Sequence, residues 1–221
     1  MNVAQWRLIV IADQATLAKK WAPDEFLQLL DQTLAGVTPP WAASIGVMDR
    51  EPGNTSTDAT RLERLKRLRR ITARHGAGLI VNGRSDLAVA VEADGVQLPE
   101  RGLPASVVRR SYPGLMVGRS CHNRAGLEIA QADGAQWATL APIYPPTSKA
   151  LPAGQSPLGR SGWEKATEGL NMPVFALGGI NPSNSGGYHR VAAIGAVWLS
   201  SSPLRTVQDF LRGFSHLTSR P

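Results

Sequence analysis

The segment GLIVNGRSDLAVAVEADGVQL, residues 78–98, contains the repeating unit that decides the fold. It begins with an apolar run, continues with a stretch of helical pattern and returns to a second apolar run. Neither apolar run alternates regularly with polar residues, which is typical of parallel strands that are covered on both faces. The segment therefore predicts one strand–helix–strand unit of an α/β protein.

The same alternation of strand-like and helical segments extends over the whole chain. Eight such units in 221 residues fit a compact (β/α)8 barrel, or TIM barrel, with residues 1–221 as a single domain. An open, doubly wound parallel sheet is the alternative. The predicted strands are 7–13, 41–49, 78–83, 94–98, 115–121, 137–143, 173–179 and 196–202, and the predicted helices are 24–35, 58–75, 84–92, 104–111, 123–133, 162–169, 183–193 and 204–218.

Composition and charge limit the possible classes of protein. The chain is 43% apolar, which is enough for a substantial core. Its single cysteine, Cys121, excludes an internal disulfide and a cysteine-cluster zinc site, and we expect it to pack in the core. No apolar run approaches the roughly 18 residues of a membrane span, and the N-terminal segment lacks signal-peptide features. We therefore expect a cytoplasmic protein with no membrane partner. The net charge of +7 permits anionic ligands.

The positive charge is concentrated in DATRLERLKRLRRITARH, residues 58–75. Leucine and isoleucine recur there at three-residue steps, which predicts an amphipathic helix with its apolar stripe on the core. Its basic face is interpreted as a solvated outer surface, because no aromatic residues interleave it and no nucleic-acid-binding motif is present. We therefore expect no nucleic-acid partner.

In a (β/α)8 barrel the active site lies at the carboxyl ends of the strands, in the loops that follow them. Polar residues and glycines recur at these predicted ends, which favours a site over a set of isolated turn caps. The acidic residues near them are Asp13, Asp49 and Glu100. The other candidate site residues are Arg50, Asn82, Gln97, Ser120, His122, Lys149, Gly178, Gly179, Leu199, Ser200 and Ser201.

Two of the predicted strand ends suit a phosphate group. Glycines let backbone N–H groups approach an anion closely, and barrels often bind phosphate in the loops after strands seven and eight. Lys149 lies in the long loop after the sixth predicted strand, where its ammonium group would add a point charge. We predict phosphate contacts at Gly178, Gly179, Leu199, Ser200 and Ser201.

Several motifs resemble one known family. LIVNGRSDLAVAVEADGVQLPERGLP, residues 79–104, is similar to the segment that thiamine-phosphate synthases and TenI-like thiazole tautomerases write as LI-IND-R-DLA-A-GADGVHLGQEDLP. VGRSCHN at 117–123 resembles their G-S-x-H element, PIYPPTSK at 142–149 their P-T-x-T-K loop, and FALGGI at 175–180 their glycine pair. The order and spacing agree over roughly residues 78–202, and the resemblance implies the same barrel fold.

The departures from the family pattern concern the metal site. The resemblance implies that a synthase joins hydroxymethylpyrimidine pyrophosphate to thiazole phosphate with the help of magnesium. Gly83 and Gly102 stand where the family has its two magnesium-binding acids. Met48 stands at a family arginine, Arg50 at a lysine, and Gln97 at a histidine. Magnesium usually requires one or two carboxylates beside substrate phosphates, so metal activation of a pyrophosphate is not expected unless Asp13, Asp49 or Glu100 substitutes.

Three hypotheses about function follow. The first is a metal-free, TenI-like thiazole tautomerase, an isomerase that moves a proton on a phosphorylated thiazole carboxylate. The second is a thiamine-phosphate synthase, a transferase, and the third is a barrel that binds a phosphorylated ligand without turnover.

The first hypothesis is preferred, because histidine can both take and give a proton near neutral pH. It assigns catalysis to His122 and Ser120, and substrate binding to Arg50, Asn82, Gln97 and Lys149. No cofactor is expected, with magnesium only in the synthase alternative. The expected partner is a small phosphorylated thiazole or pyrimidine, and a homodimer is left open.

Overall fold

The structure is a computed structural model that describes residues 3–53, 55–145 and 156–215. Eight parallel strands form a closed barrel in which each strand pairs with the next along the chain and the eighth with the first. This confirms the predicted (β/α)8 barrel. The strands are β1 (Leu8–Asp13), β2 (Ile45–Arg50), β3 (Gly78–Asn82), β4 (Gly95–Leu98), β5 (Met116–Cys121), β6 (Trp137–Leu140), β7 (Val174–Leu177) and β8 (Val191–Ala193).

The helices surround the barrel; seven of those described begin within three residues of a predicted start, and α1 and α8 were not predicted. They are α1 (Gln14–Leu17), α2 (Pro23–Ala35), α3 (Asp58–His75), α4 (Ser85–Ala90), α5 (Ala105–Ser111), α6 (Arg124–Ala132), α7 (Gly159–Thr167), α8 (Gly195–Trp198) and α9 (Pro203–Ser215). Two short 3-10 helices, Val3–Gln5 and Trp41–Ser44, precede β1 and β2, so the prediction that strand two starts at 41 was wrong.

Side chains fill the inside of the barrel. Trp6 and Trp137 lie fully buried there with their rings edge to face and their centroids 5.7 Å apart. Gly118 makes room for one of them, because a Cβ atom at this position would lie 2.0 Å from Cε2 of Trp137. A second, larger core lies between the outer face of the strands and the helices. The lower part of the barrel is therefore a packed core, and the open space lies at its upper end.

The eighth strand is not where the sequence pattern placed it. Residues 196–202 were predicted as a strand and 183–193 as a helix, but β8 is the short Val191–Ala193 and residues 195–198 form α8. Val191 is level with Leu8 of β1, which closes the barrel. The apolar run that continues past β8 belongs to α8, where the fully buried Trp198 donates from Nε1 to the carbonyl oxygen of Ile11 at 3.0 Å.

The basic helix α3 packs as predicted, with Leu65 and Leu68 fully buried. Threonine at its N-cap and Gly76 at its C-cap, with φ of 70°, define its ends. Its outward arginines contact acids of the neighbouring helix: Arg67 lies 2.6 Å from Asp24, and a second pair joins Arg74 to Asp31. Much of the charge of this helix is therefore used in contacts within the protein.

Candidate active site

A cavity of about 870 Å³ opens at the carboxyl ends of the strands. Of the predicted site residues that the structure describes, three do not line it: Gln97 lies beneath it, and Asp49 and Ser201 lie outside it. Lys149 falls outside the described residues, as does most of its loop. The structure brings together in its wall the predicted acids Asp13 and Glu100 and eight of the other predicted residues: Arg50, Asn82, Ser120, His122, Gly178, Gly179, Leu199 and Ser200.

His122 follows β5 and stands at the cavity wall with its side chain 40% exposed. Its Nδ1 lies 2.6 Å from the carbonyl oxygen of Ala141, which can only accept, so Nδ1 carries a proton and donates it. Nε2 therefore has a free lone pair in the neutral ring, and it lies 4.0 Å from Oε2 of Glu100. This is the arrangement of a histidine that can accept a proton from a ligand.

Glu100 belongs to the loop after β4 and also lines the cavity. The backbone of this loop is fixed from outside, because the guanidinium group of Arg119 donates to the carbonyl oxygens of Glu100 at 2.8 Å and Leu103 at 3.1 Å. The carboxylate would stabilise an imidazolium at His122 by charge attraction.

Beneath the cavity, the fully buried Gln97 links two strands that carry hydroxyl groups. Its Nε2 donates to Oγ of Ser120 at 3.1 Å and to Oγ1 of Thr139 at 3.2 Å. Its Oε1 accepts from Nε1 of Trp137 at 2.7 Å. Gln97 was predicted to bind substrate, but the structure places it under Ser120 and Thr139 rather than in the cavity wall.

Arg50 and Asp13 end neighbouring strands at the same level and form an ion pair in the cavity wall. Asp13 also caps α1, accepting from the backbone N–H of Thr16 at 2.9 Å and from its hydroxyl. Asn82 lines the cavity, and its Nδ2 donates to the carbonyl oxygen of Gln97 at 3.3 Å. Arg50 therefore presents a cation to the cavity whose charge is partly balanced by Asp13.

Asp49 lies on the opposite side of β2 from the cavity, because side chains alternate along a strand. It is fully buried against α3, where Nε of Arg61 donates to it at 3.2 Å and Nε of Arg64 at 2.9 Å. Glu51 joins the same group through Nη2 of Arg64 at 2.6 Å. Burial raises the pKa of Glu51, but hydrogen bonds from Arg64, Ser56 and Thr55 outweigh it and lower the pKa to about 2. Because Asp49 is buried in this charged cluster on the α3 side of β2, its carboxylate does not reach the cavity.

The side chains present do not fit a magnesium site. Gly83 and Gly102 offer no carboxylate, Asp13 is paired with Arg50, and Asp49 faces away from the cavity. The other acid at the described cavity wall is Glu100, whose Oε2 lies 4.0 Å from Nε2 of His122. In the part of the chain that the structure describes, no three acidic, histidine or cysteine side chains come close enough to hold a metal ion.

Cys121 is buried on the outer side of β5, as predicted, and its thiol donates to the carbonyl oxygen of Gly126 at 3.3 Å. Burial raises the pKa of this thiol to about 11. A protonated thiol is a poor nucleophile, and the hydrogen bond to Gly126 directs this one towards α6.

The glycine pair after β7 forms a tight turn at the cavity wall. Gly178 and Gly179 have φ of 94° and 63°, and a Cβ at Gly179 would lie 2.6 Å from the carbonyl oxygen of Pro145. Both positions therefore require glycine. Next to this turn, the first residues of α8, Gly195 and Ala196, line the same cavity. Among the described residues, the N–H groups of these four positions have no hydrogen-bond acceptor.

The residues predicted at the end of the eighth strand, Leu199 and Ser200, lie instead directly after α8. Leu199 and Ser200 line the cavity, but their N–H groups donate to the carbonyl oxygens of Gly195 and Val197 at the end of α8. They are therefore not free to bind an anion. The sequence prediction missed Gly195 and Ala196 because it began a strand at residue 196 and left Gly195 in the connection before it, although the glycine itself was a signal of a backbone approach.

No helix within the described ranges is long and apolar enough to cross a membrane.

A closed barrel with a cavity at the carboxyl ends of its strands is the fold and the site position of a (β/α)8-barrel protein. The chain belongs to the thiamine monophosphate synthase family, whose model matches residues 9–200. This confirms the family resemblance seen in the sequence.

Curated relatives carry names of the same kind. The chain is 42% identical over 158 residues to a Geobacter sulfurreducens protein named "Putative thiamine-phosphate synthase", an alignment that covers 69% of this chain and 73% of that one. It is 39% identical over 151 residues to the thiamine-phosphate synthase of Gloeobacter violaceus, covering 66% of this chain but 43% of that longer protein. These names favour the transferase hypothesis over the isomerase hypothesis.

Solved structures show the same fold. Thiamine phosphate pyrophosphorylase from Pyrococcus furiosus superposes with a TM-score of 0.79 at 24% identity, covering 97% of this chain and 98% of that one. A 3-hexulose-6-phosphate synthase from Salmonella typhimurium gives a TM-score of 0.65 at 12% identity, covering 95% and 99%. At these identities the likeness concerns the barrel alone.

Proposed function

We propose that the protein is a thiamine-biosynthesis enzyme that binds a phosphorylated thiazole carboxylate and isomerises its ring by moving a proton, without a metal ion. The observation that carries this proposal is the geometry of His122. One nitrogen is held by the carbonyl of Ala141, and the other faces the cavity beside Glu100.

The phosphate is assigned to the turn after β7 and the start of α8. In the described part of the chain, four backbone N–H groups there, from Gly178, Gly179, Gly195 and Ala196, have no acceptor and can donate to an anion. Barrels commonly place phosphate after strands seven and eight. A ligand whose phosphate binds at this edge would span the cavity, with its thiazole ring directed towards the ends of β4 and β5.

His122 would then act as both base and acid. The Nε2 lone pair would accept a proton from an sp3 ring carbon of the non-aromatic isomer. The imidazolium would return it to the exocyclic carbon that is doubly bonded to the ring, so that this double bond moves into the ring and no atoms or charge are gained overall. Ala141 and Glu100 stabilise the imidazolium between the two transfers. Aromatisation of the thiazole drives the reaction forward.

A thiamine-phosphate synthase activity is the second candidate, and the names of the curated relatives favour it. This reaction would place the pyrimidine pyrophosphate at the same cavity. The residues against it are Gly83 and Gly102, which supply no acid for the metal that the family resemblance implies. Arg50 is already paired with Asp13, so its charge is only partly available to a leaving pyrophosphate.

One experiment separates the two candidates. The purified protein is given the thiazole phosphate carboxylate alone, and separately thiazole phosphate with hydroxymethylpyrimidine pyrophosphate, each with magnesium or with EDTA. We expect isomerisation in both conditions and no condensation. Condensation that requires magnesium would establish the synthase instead, and binding of thiazole phosphate without either reaction would indicate a non-catalytic protein.

A further inference from the structure

The side-chain amide of Gln97 has a single orientation, and this decides whether the hydroxyl groups of Ser120 and Thr139 above it accept or donate hydrogen bonds. Nε1 of Trp137 can only donate, so the atom of Gln97 that lies 2.7 Å from it must be the oxygen. The NH2 group therefore points the other way, towards the cavity. Gln97 is 1% exposed and held by both bonds, so this orientation is fixed.

The two hydrogens of this NH2 group have one acceptor each, Oγ of Ser120 and Oγ1 of Thr139. Each hydroxyl group thus uses its oxygen as an acceptor below, which leaves its own proton free to donate. Among the described residues, neither hydroxyl donates to another acceptor. We call the pair Ser120 and Thr139 the hydroxyl floor.

The hydroxyl floor faces the cavity, and its two hydroxyl groups lie at the same level on adjacent strands. Ser120 of β5 and Thr139 of β6 are level partners on adjacent strands, so their side chains stand side by side on the inner face of the barrel. Both line the cavity, whereas Gln97 does not. Two neighbouring O–H donors match a ligand group with two acceptor oxygens, while a ring nitrogen would use one of them.

We propose that the hydroxyl floor binds the carboxylate of the ligand and that Gln97 is the positioning residue that turns both hydroxyl protons towards it. The identity of the carboxylate-bearing ligand rests on the proposed function. The phosphate occupies the glycine turn at another part of the wall, so the floor serves the second anionic group. The floor then distinguishes a thiazole phosphate that carries a carboxylate from one that lacks it.

The test is a calorimetric titration of these two ligands, the thiazole phosphate carboxylate and the thiazole phosphate, into four proteins. Thr139→Val removes one donor at nearly constant shape, and Thr139→Ser is the matched control that keeps it. In Gln97→Glu a carboxylate can still accept from Trp137 but also accepts from both hydroxyls, which turns their protons away from the cavity. Circular dichroism establishes that each variant is folded.

For the parent we expect tighter binding of the carboxylated ligand, by about 10- to 100-fold, the range for hydrogen bonds to a charged group. Thr139→Val and Gln97→Glu should reduce this ratio of affinities by about tenfold or more, and Thr139→Ser should keep the parent's ratio. A parent that isomerises the ligand but binds both forms equally, or a folded Thr139→Val that keeps the parent's ratio, would overturn the hydroxyl floor alone. A parent that discriminates between the ligands but does not isomerise would overturn the proposed function alone.

Discussion

Replacing His122 with asparagine tests the proposed chemistry with little disturbance of the structure. The side-chain NH2 group of asparagine can take the place of Nδ1 and donate to the carbonyl oxygen of Ala141, which now accepts at 2.6 Å. The variant therefore loses Nε2, the nitrogen that faces Glu100, and keeps the structural hydrogen bond. Because the side chain is 40% exposed, little apolar burial is lost.

The expected loss in the rate of isomerisation follows from the role assigned to Nε2. General acid–base catalysis contributes roughly 10²–10⁴-fold, so the rate of isomerisation should fall by about that factor. This corresponds to about 2.7–5.4 kcal/mol of activation free energy. The free energy of unfolding should change by less than about 1 kcal/mol, since the hydrogen bond to Ala141 remains.

The assay follows the change in ultraviolet absorbance as the thiazole phosphate carboxylate becomes aromatic, with thermal unfolding measured on the same samples. His75→Asn is the matched control: His75 lies at the end of α3, 2.7 Å from Asp31, and does not line the cavity. It should leave the rate unchanged. Parent-like turnover in His122→Asn would refute the role of His122.

Three further predictions concern metal, backbone and pH. With no acid at Gly83 or Gly102, calorimetric titration of the protein with magnesium chloride should show no stoichiometric binding, and tight one-to-one binding would contradict the description of the site. Gly179→Ala should lower the free energy of unfolding, measured in urea, by about 1–3 kcal/mol, because the new Cβ would lie 2.6 Å from a backbone oxygen at a φ of 63°. The control is Gly186→Ala, which should stay close to the parent because the space around its Cβ is open. Equal losses in both variants would count against the strained turn. Glu51 has a pKa lowered from 4.5 to about 2, so it stabilises the folded state above pH 4.5 and loses that contribution as the pH falls towards 2. Glu51→Gln should flatten this part of the curve of unfolding free energy against pH, and a slope equal to the parent's would show that the carboxylate is not held as described.

The barrel could be predicted because its signal is repeated. Apolar runs and helical segments alternate eight times, and errors at one unit do not disturb the rest. The eighth strand was missed because Val191–Ala193 is short and composed of small residues, while the following Ala196–Leu199 has the apolar composition of a strand. Only the pairing of Val191 with Leu8 distinguishes them, and that is a long-range contact.

Part of the candidate site could be predicted because the repeated strand–helix pattern indicates where each strand ends. His122, Ser120 and Arg50 could be placed because they follow strands in a barrel. Asp49 could have been excluded from the sequence, since residues alternate along β2 and Arg50 faces the cavity. The role of Gln97 could not be predicted, because it depends on three side chains from two other strands that meet inside the barrel.

The central claim is that this cavity isomerises a phosphorylated thiazole carboxylate without metal, and proton NMR in deuterated buffer with EDTA tests it most directly. We predict conversion to the aromatic isomer at the same rate with EDTA as with magnesium, and incorporation of deuterium from solvent at the carbon that receives its proton from His122. No conversion in EDTA, together with magnesium-dependent condensation of thiazole phosphate with hydroxymethylpyrimidine pyrophosphate, would contradict it.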